Sequence, residues 1–340
     1  MIVGLVRAVF VCAMLALPAC NEDRAEPRID DLTWKTLSPA PTARTEPTAV
    51  AQGELIYVMG GFNGDGDTVP TVEIFDTRIG RWRRGPDLPL GVNHPMSAVV
   101  DETVYVFGGH FEGTKQTSDR VFALRNGRWS ELGAMPEPRA AGGAAVVDGN
   151  IYVVGGLSDE GNAETTLILN TETDEWSTAP GLAVSRNHLG VTSDGDRVFA
   201  IGGRFGFGLN LADVEAFDPE TQTWERLPEL PTPRGGLAAT ATERFLVAAG
   251  GEEQGKTFEE VEAFDLAEGT WFPLPALPTP RHGLGVVAVD ATVYVLAGGP
   301  EPGLSVSSTV EAIDLGVLLG GGPQQVTTSG NALTSGVGHD

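Results

Sequence analysis

An all-β propeller of six blades is the fold this sequence predicts, and two interlocked periodicities predict it. Adjacent glycines recur at Gly60-Gly61, Gly108-Gly109, Gly155-Gly156, Gly202-Gly203, Gly250-Gly251 and Gly298-Gly299, spaced by 48, 47, 47, 48 and 48 residues. Tryptophans keep the same time at Trp34, Trp82, Trp129, Trp176, Trp224 and Trp271. A beat of this length marks repeated supersecondary units. Each glycine pair ends a short apolar run, such as LIYVMGG or NIYVVGG, and no stretch shows helical spacing.

Residues Arg186 to Trp224 serve as the type unit. RNHLGVTS reads as a first strand, and Asp194-Gly195-Asp196 as the tight turn into a second, RVFAI. Gly202-Gly203 ends that strand, where positive φ and close backbone approach are open to glycine. A variable loop leads to a third strand, VEAFD, and the turn PETQT delivers Trp224 into a fourth. PELPTP then crosses to the next unit, since proline cannot join a ladder interior. Six glycine pairs and six tryptophans do not make six complete units, because Trp34 precedes the first pair and no tryptophan follows Val310 to Asp314. A circular solution follows: the N-terminal strand at Trp34 is the fourth strand of the last blade, closing the ring and leaving only short outer edges.

In detail the repeats resemble the kelch family over residues 32–315. The shared features are the glycine pair, an aromatic three positions before it (Tyr57, Tyr105, Tyr152, Phe199), and Asp six positions before Trp (Asp76–Trp82, Asp218–Trp224, Asp265–Trp271, with Asn170–Trp176 close). Blade two departs, reading FALRNGRW without the Asp. Blades five and six read LVAAGG and YVLAGG, which suggests an extra residue and a local bulge before their glycines.

The ends read differently. Arg7, the apolar run AVFVCAMLALPA and a small residue before Cys20 form an export signal over 1–19, too short to span a bilayer. Leu17-Pro18-Ala19-Cys20 resembles the lipobox of bacterial lipoproteins, which implies lipidation of Cys20 and a cell-envelope location on the outer-membrane or periplasmic face. With Cys20 unmodified, the protein would instead be secreted. Cleavage would remove Cys12 and leave Cys20 without a disulfide partner. Residues 20–31 read as a charged tether, and 316–340 as a disordered Gly/Ser/Thr-rich tail. The formal charge is −24, or −25 once Arg7 is removed, which argues against nucleic acid and leaves any membrane attachment to acyl chains.

Used as rulers, the glycines bring Arg44, Arg139, Arg186 and Arg234 into register, each 16 residues before a pair. Arg281 lies 17 before its own, and Val92 holds the place in blade two. These positions start the innermost strands, so a regular propeller would set five arginines around one channel mouth. Guanidinium groups there suit carboxylates, phosphates or sulfates. The kelch resemblance implies that such arginines and the residues after the glycines, here Phe62, His110 and Arg204 among others, line a recognition face. The alternative is structural: each arginine pairs with an acid of the adjacent blade or satisfies a loop carbonyl.

His94, His188 and His282 are spaced by 94 residues, as if for a three-histidine metal site. Aligning Leu189 to Val191 with Leu284 to Val286 matches His282 to Asn187 instead, one residue out of phase, so no metal site is expected. Asn63-Gly64-Asp65-Gly66-Asp67 lacks the glycine and glutamate of an EF-hand at its sixth and twelfth positions and reads as a polar turn.

Enzymatic relatives are compared by residues. The copper-radical chemistry of galactose oxidase needs a tyrosine joined to a cysteine, and all four tyrosines sit in second strands with no mature cysteine beyond Cys20. The exported kelch epimerase of N-acetylneuraminate is the enzymatic alternative, with His94, His110, His188 and Glu252 as available acid–base groups. The reading preferred is a non-catalytic, monomeric binding module without cofactor or catalytic residues, presenting an arginine-lined face to an envelope protein segment or anionic glycan.

Overall fold

In the computed structural model, residues 28–319 are described except 112, 114, 115 and 207. The expected signal, Cys20 and residues 320–340 lie outside the described residues. Six antiparallel four-stranded sheets form the blades of a propeller. Blade one runs through Thr48–Gln52, Leu55–Met59, Val72–Asp76 and Arg81–Arg84, in that order from the axis outward. Blades two to five repeat it. Blade six takes Gly285–Val289, Thr292–Leu296 and Val310–Asp314, and its fourth strand is Lys35–Thr36 from the N-terminal end, with Lys35 opposite Ala312. The ring is closed as the count of glycines and tryptophans requires.

The tryptophans show why the closure is in phase. Trp82, Trp129, Trp224 and Trp271 each donate an indole N–H to a carbonyl in the segment leaving the preceding blade: Ser38, Pro86, Pro180 and Pro228, at 2.8–2.9 Å. Trp34 does the same to Pro275 at 2.8 Å, so blade six meets blade five as blades one, two, four and five meet their neighbours. The Asp six residues earlier holds the turn that presents each tryptophan. The Asp218 carboxylate accepts the N–H groups of Glu220 and Thr221, Asp265 those of Ala267 and Glu268, and Asn170 does likewise with its side-chain oxygen. Blade two lacks the Asp because its turn is a two-residue hairpin. Asn126 and Gly127 have φ of 51° and 72°, the left-handed pair that such a turn needs.

The glycine pairs join blade to blade. In blades one to five the second glycine of the pair donates its N–H to the carbonyl at the arginine position of the next blade, Gly61 to Val92, Gly109 to Arg139, Gly156 to Arg186, Gly203 to Arg234 and Gly251 to Arg281; in blade six the first glycine, Gly298, donates to Arg44. A Cβ on Gly108 would stand 2.0 Å from the Arg139 carbonyl oxygen, and φ there is +57°. Both the conformation and the approach exclude a side chain.

No bulge interrupts blades five or six. Phe245 to Ala249 pairs without a break against Val261 to Asp265, and Gly285 to Val289 against Thr292 to Leu296. In blade six the sequence pair is displaced by one. Ala297, with φ of 57°, stands where other blades have their first glycine, and Gly298 is structurally the second. Arg281 is then 16 residues before Ala297, and Tyr294 is restored to the aromatic place three before it.

At the axis the innermost strands crowd together, which explains their small residues. A Cβ on Gly143 would lie 2.4 Å from Val191 Cβ, and one on Gly285 2.6 Å from Ala49 Cβ. Larger apolar side chains fill the spaces between sheets, where Tyr105, Phe107, Phe199 and Phe217 are buried. Gly316–Leu319, read from the sequence as part of the tail, forms a 3-10 turn whose Val317, Leu318 and Leu319 pack on the core of blades five and six.

Candidate functional site

The five arginines are not on a mouth. Arg44, Arg139, Arg186, Arg234 and Arg281 have no exposed surface and rank among the largest fully buried side chains. Four pair with a glutamate on the third strand of their own blade: Arg44 with Glu73 at 2.8 Å, Arg186 with Glu215 at 2.6 Å, Arg281 with Glu311 at 3.0 Å, and Arg234 with Glu262. Other N–H groups donate to backbone carbonyls, and Arg186 reaches those of Gly202, Val184, Ala200 and Asp213, whereas Nε of Arg44, Arg139 and Arg281 and Nη1 of Arg281 are buried without a partner among the described residues. Burial lowers the pKa of Arg44, Arg139, Arg234 and Arg281, and the paired carboxylate opposes that shift. A guanidinium keeps its charge and must be hydrogen-bonded once inside. The arginine-lined face is therefore corrected to an internal brace, with the acid on the same blade rather than the adjacent one.

Departures from the pattern confirm the pairing. In blade two Val92 replaces the arginine, and Phe122, opposite Val106, replaces the glutamate. In blade three Leu167 takes the glutamate place and Glu137 approaches Arg139 instead.

Two residues beyond the arginine position the chain turns across the axis. Glu46, His94, Ala141, His188, Gly236 and Gly283 all have positive φ, between 52° and 71° for the first five and 53° for the last. Each donates its N–H to the carbonyl of the previous blade's residue in a closed hydrogen-bonded ring. The bonds run His94 to Glu46, Ala141 to His94, His188 to Ala141, Gly236 to His188, Gly283 to Gly236 and Glu46 to Gly283, at 2.7–3.0 Å. Beneath it lies a cavity of about 140 Å³ among the innermost strands.

The side chains of this ring define the polar centre of the mouth. Ligand atoms of Glu46, His94 and His188 lie within 4.8 Å of one another. His94 Nε2 is 3.3 Å from Glu46 Oε2, and the His94 ring centroid is 5.0 Å from that of His188 and 5.7 Å from that of His110. Burial lowers the pKa of His94, partly opposed by Glu46, and puts that of His188 well below the ordinary value, with Arg204 adding to the effect. His110 is pushed down to about 4, by burial first and then by His94. His282 stands one residue out of phase, as the alignment indicated, with Nδ1 3.1 Å from the Gly299 carbonyl and Nε2 2.9 Å from that of Gly303. Glu46 takes the third place that the histidine spacing left open. Sequence reasoning missed it, although Glu46, His94 and His188 occupy the same repeat position.

Of the residues expected on the face, Phe62 and His110 are buried at its floor, bridged to Thr45 and Asn93. Arg204 is held by Glu252 of the next blade at 2.8 Å. Glu252 also accepts the Gly303 N–H at 3.3 Å, and its backbone carbonyl accepts the Asn210 amide at 2.9 Å. These contacts bind the loops of blades four, five and six into one surface. On that surface Phe205, Leu209 and Leu304 are more than half exposed.

Blades with paired glycines, Asp-held turns and tryptophan-bearing outer strands are the marks of the kelch class of β-propeller. The chain matches the KLHDC2/KLHL20/DRC7 kelch-repeats domain over residues 21–183 and the Kelch motif over residues 185–231. It is a kelch-repeat propeller, a fold commonly used as a protein-interaction module. Among curated proteins it is similar to an F-box/kelch-repeat protein of Arabidopsis thaliana, 40% identical over 73 residues (21% of this chain, 17% of that protein). Human Kelch-like protein 38 is 30% identical over 76 residues, covering 22% and 13% of the two chains. Beta-scruin of Limulus polyphemus is 37% identical over 67 residues, covering 20% and 7%. The alignments thus span a fifth or less of these relatives' lengths.

Proposed function

We propose that the protein is a non-catalytic binding module that holds an extended protein segment across the loop-bearing mouth. The observation that carries this reading is the combination of Phe205, Leu209 and Leu304, exposed by 53%, 56% and 61%, with loops cross-tied by Arg204, Asn210, Glu252 and His282. Exposed apolar groups on a pre-ordered rim lose little entropy on binding. With the five arginines inside the blades, the case for an anionic glycan loses its cations, and a segment with apolar side chains fits better.

Ile79 supplies the control, being 63% exposed on a turn between the outer strands. A photo-crosslinking residue at Phe205 is expected to capture a discrete protein from envelope extract, and the same residue at Ile79 is not. Equal capture at both positions, or none at Phe205, overturns the reading. The export signal and the Leu17–Cys20 motif support attachment to a bacterial envelope through a lipidated Cys20, with the monomeric ring held on a short charged tether. Mass spectrometry of the mature N-terminus is expected to show diacylglycerol on Cys20; a mature chain beginning elsewhere, or with an unmodified cysteine, refutes the anchor.

A further inference from the structure

We propose that Glu46, His94 and His188 form a binding site for one divalent transition-metal cation of borderline softness, with zinc as the type ion. The site goes beyond the binding role of the rim and does not depend on it. Its first support is the fixed tautomer of both rings. His94 Nδ1 meets the Asn93 side-chain oxygen at 2.6 Å, and His188 Nδ1 meets that of Asn187 at 2.5 Å. The two asparagines cannot be reversed, because their amide N–H groups are already committed. Asn93 donates to Thr68 and to the carbonyls of His110 and Gly113, and Asn187 donates to Asn162. Each ring therefore keeps its proton on Nδ1, and its Nε2 carries a lone pair. This is the arrangement by which outer hydrogen bonds orient metal-binding imidazoles.

The second support is the direction of those lone pairs. His94 Nε2 faces the Glu46 carboxylate at 3.3 Å, two acceptors with no hydrogen between them in this tautomer. The side chains are only 11% and 13% exposed, so water screens them poorly. A cation between them removes the conflict. The 3.3 Å separation is also about the span of two bonds of roughly 2.0 Å at a tetrahedral angle. Two imidazoles and one carboxylate are a recurrent donor set for such ions. Arg204 is the neighbouring guanidinium and is paired with Glu252, while His282 Nε2 faces the same two carboxylates from 3.8 Å (Glu46) and 3.6 Å (Glu252).

The third support is the backbone. Glu46, His94 and His188 hold left-handed conformations at a ring position where glycine serves in two other blades. Non-glycine residues in that region cost free energy and concentrate at functional sites. Three protein ligands leave a coordination position open toward the mouth.

The test uses the full chain without a histidine tag, stripped with chelator and titrated with cobalt and then zinc. One equivalent is expected, with cobalt giving the visible absorption of a low-coordinate nitrogen/oxygen site. Glu46→Gln and His188→Asn are each expected to weaken zinc binding by about tenfold or more. His110→Gln, outside the donor set, should bind as the parent does. In the unaltered protein, zinc is expected to shift the Nε2 resonances of two histidines while their Nδ1 protons stay in place. No one-equivalent binding, or shifts confined to other histidines, overturns the site, whether or not a variant folds. So does a folded Glu46→Gln protein with parental affinity.

Discussion

Metal-free protein is expected to lose stability steeply as pH falls from 7 to 5, well above the range in which its carboxylates protonate. His94, His110 and His188 all have folded pKa values below the ordinary 6.5, that of His110 near 4. Between about pH 4 and 6.5 the unfolded chain therefore binds protons that the folded chain refuses, and stability rises with pH across that window. Above 6.5 all three rings are neutral in both states and the stabilisation is complete. Toward pH 4 it is lost. Each proton contributes about 1.4 kcal/mol per pH unit, so His110 alone gives a slope of roughly 1 kcal/mol per unit near pH 5.5, and His94 and His188 add to it in the same direction. The lowered carboxylates Asp76, Asp218 and Asp265 act in the same direction but only below their unfolded value of 3.8. Urea unfolding at pH 7, 6 and 5.5 measures the slope, and His188→Asn should reduce it by about one proton. A free energy of unfolding unchanged between pH 7 and 5.5 is the contrary result.

How far such a site could be read beforehand depends on what a repeat makes visible. Blade number, strand order and closure were legible, because each rests on a feature repeated six times with a geometric cause. The glycines meet the next blade's carbonyl, and the tryptophans reach back to the last one. The blade-six displacement was harder. Counting from Gly298-Gly299 suggests an inserted residue, whereas alanine can occupy a left-handed position at a cost, and Ala297 does. Tyr294 held the clue, being three residues before Ala297 rather than Gly298.

The site was legible only in part, for a different reason. Aligned arginines show a shared position, not the direction of the side chain. That direction is set by a second repeated residue, the glutamate of VEIFD, VEAFD, VEAFD and VEAID, which vanishes in blade two together with the arginine. Glu46 is invisible to a comparison of one residue type. Glutamate and histidine at equivalent ring positions look unrelated until the position itself is followed, and Asn93 and Asn187 beside the histidines are a repeated signal as well. Phe205, Leu209 and Leu304 lie in loops without a repeat, so no internal comparison could mark them.

Replacing Arg186 by methionine is expected to cost about 3–5 kcal/mol, a large share of the 5–15 kcal/mol typical of folded domains. The side chain has no exposed surface, and its partner Glu215 is 1% exposed. Removing the guanidinium leaves that carboxylate buried without its cation, and among the described residues the Ala183 N–H, at 2.9 Å, is the donor that remains. The carbonyls of Gly202, Val184, Ala200 and Asp213 lose donors too. Lysine should rescue little, since one ammonium cannot reproduce a planar fork reaching several acceptors. The double variant Arg186→Met/Glu215→Gln should recover a substantial part of the loss, because the stranded charge is gone. Blade two, with Val92 and Phe122 in these places, shows that an uncharged pair fits the fold. Chemical denaturation of the three variants separates the possibilities. A single-variant loss below about 1 kcal/mol would mean that the brace is not structural. A double variant as unstable as the single would place the cost in the strand carbonyls rather than in the unpaired Glu215.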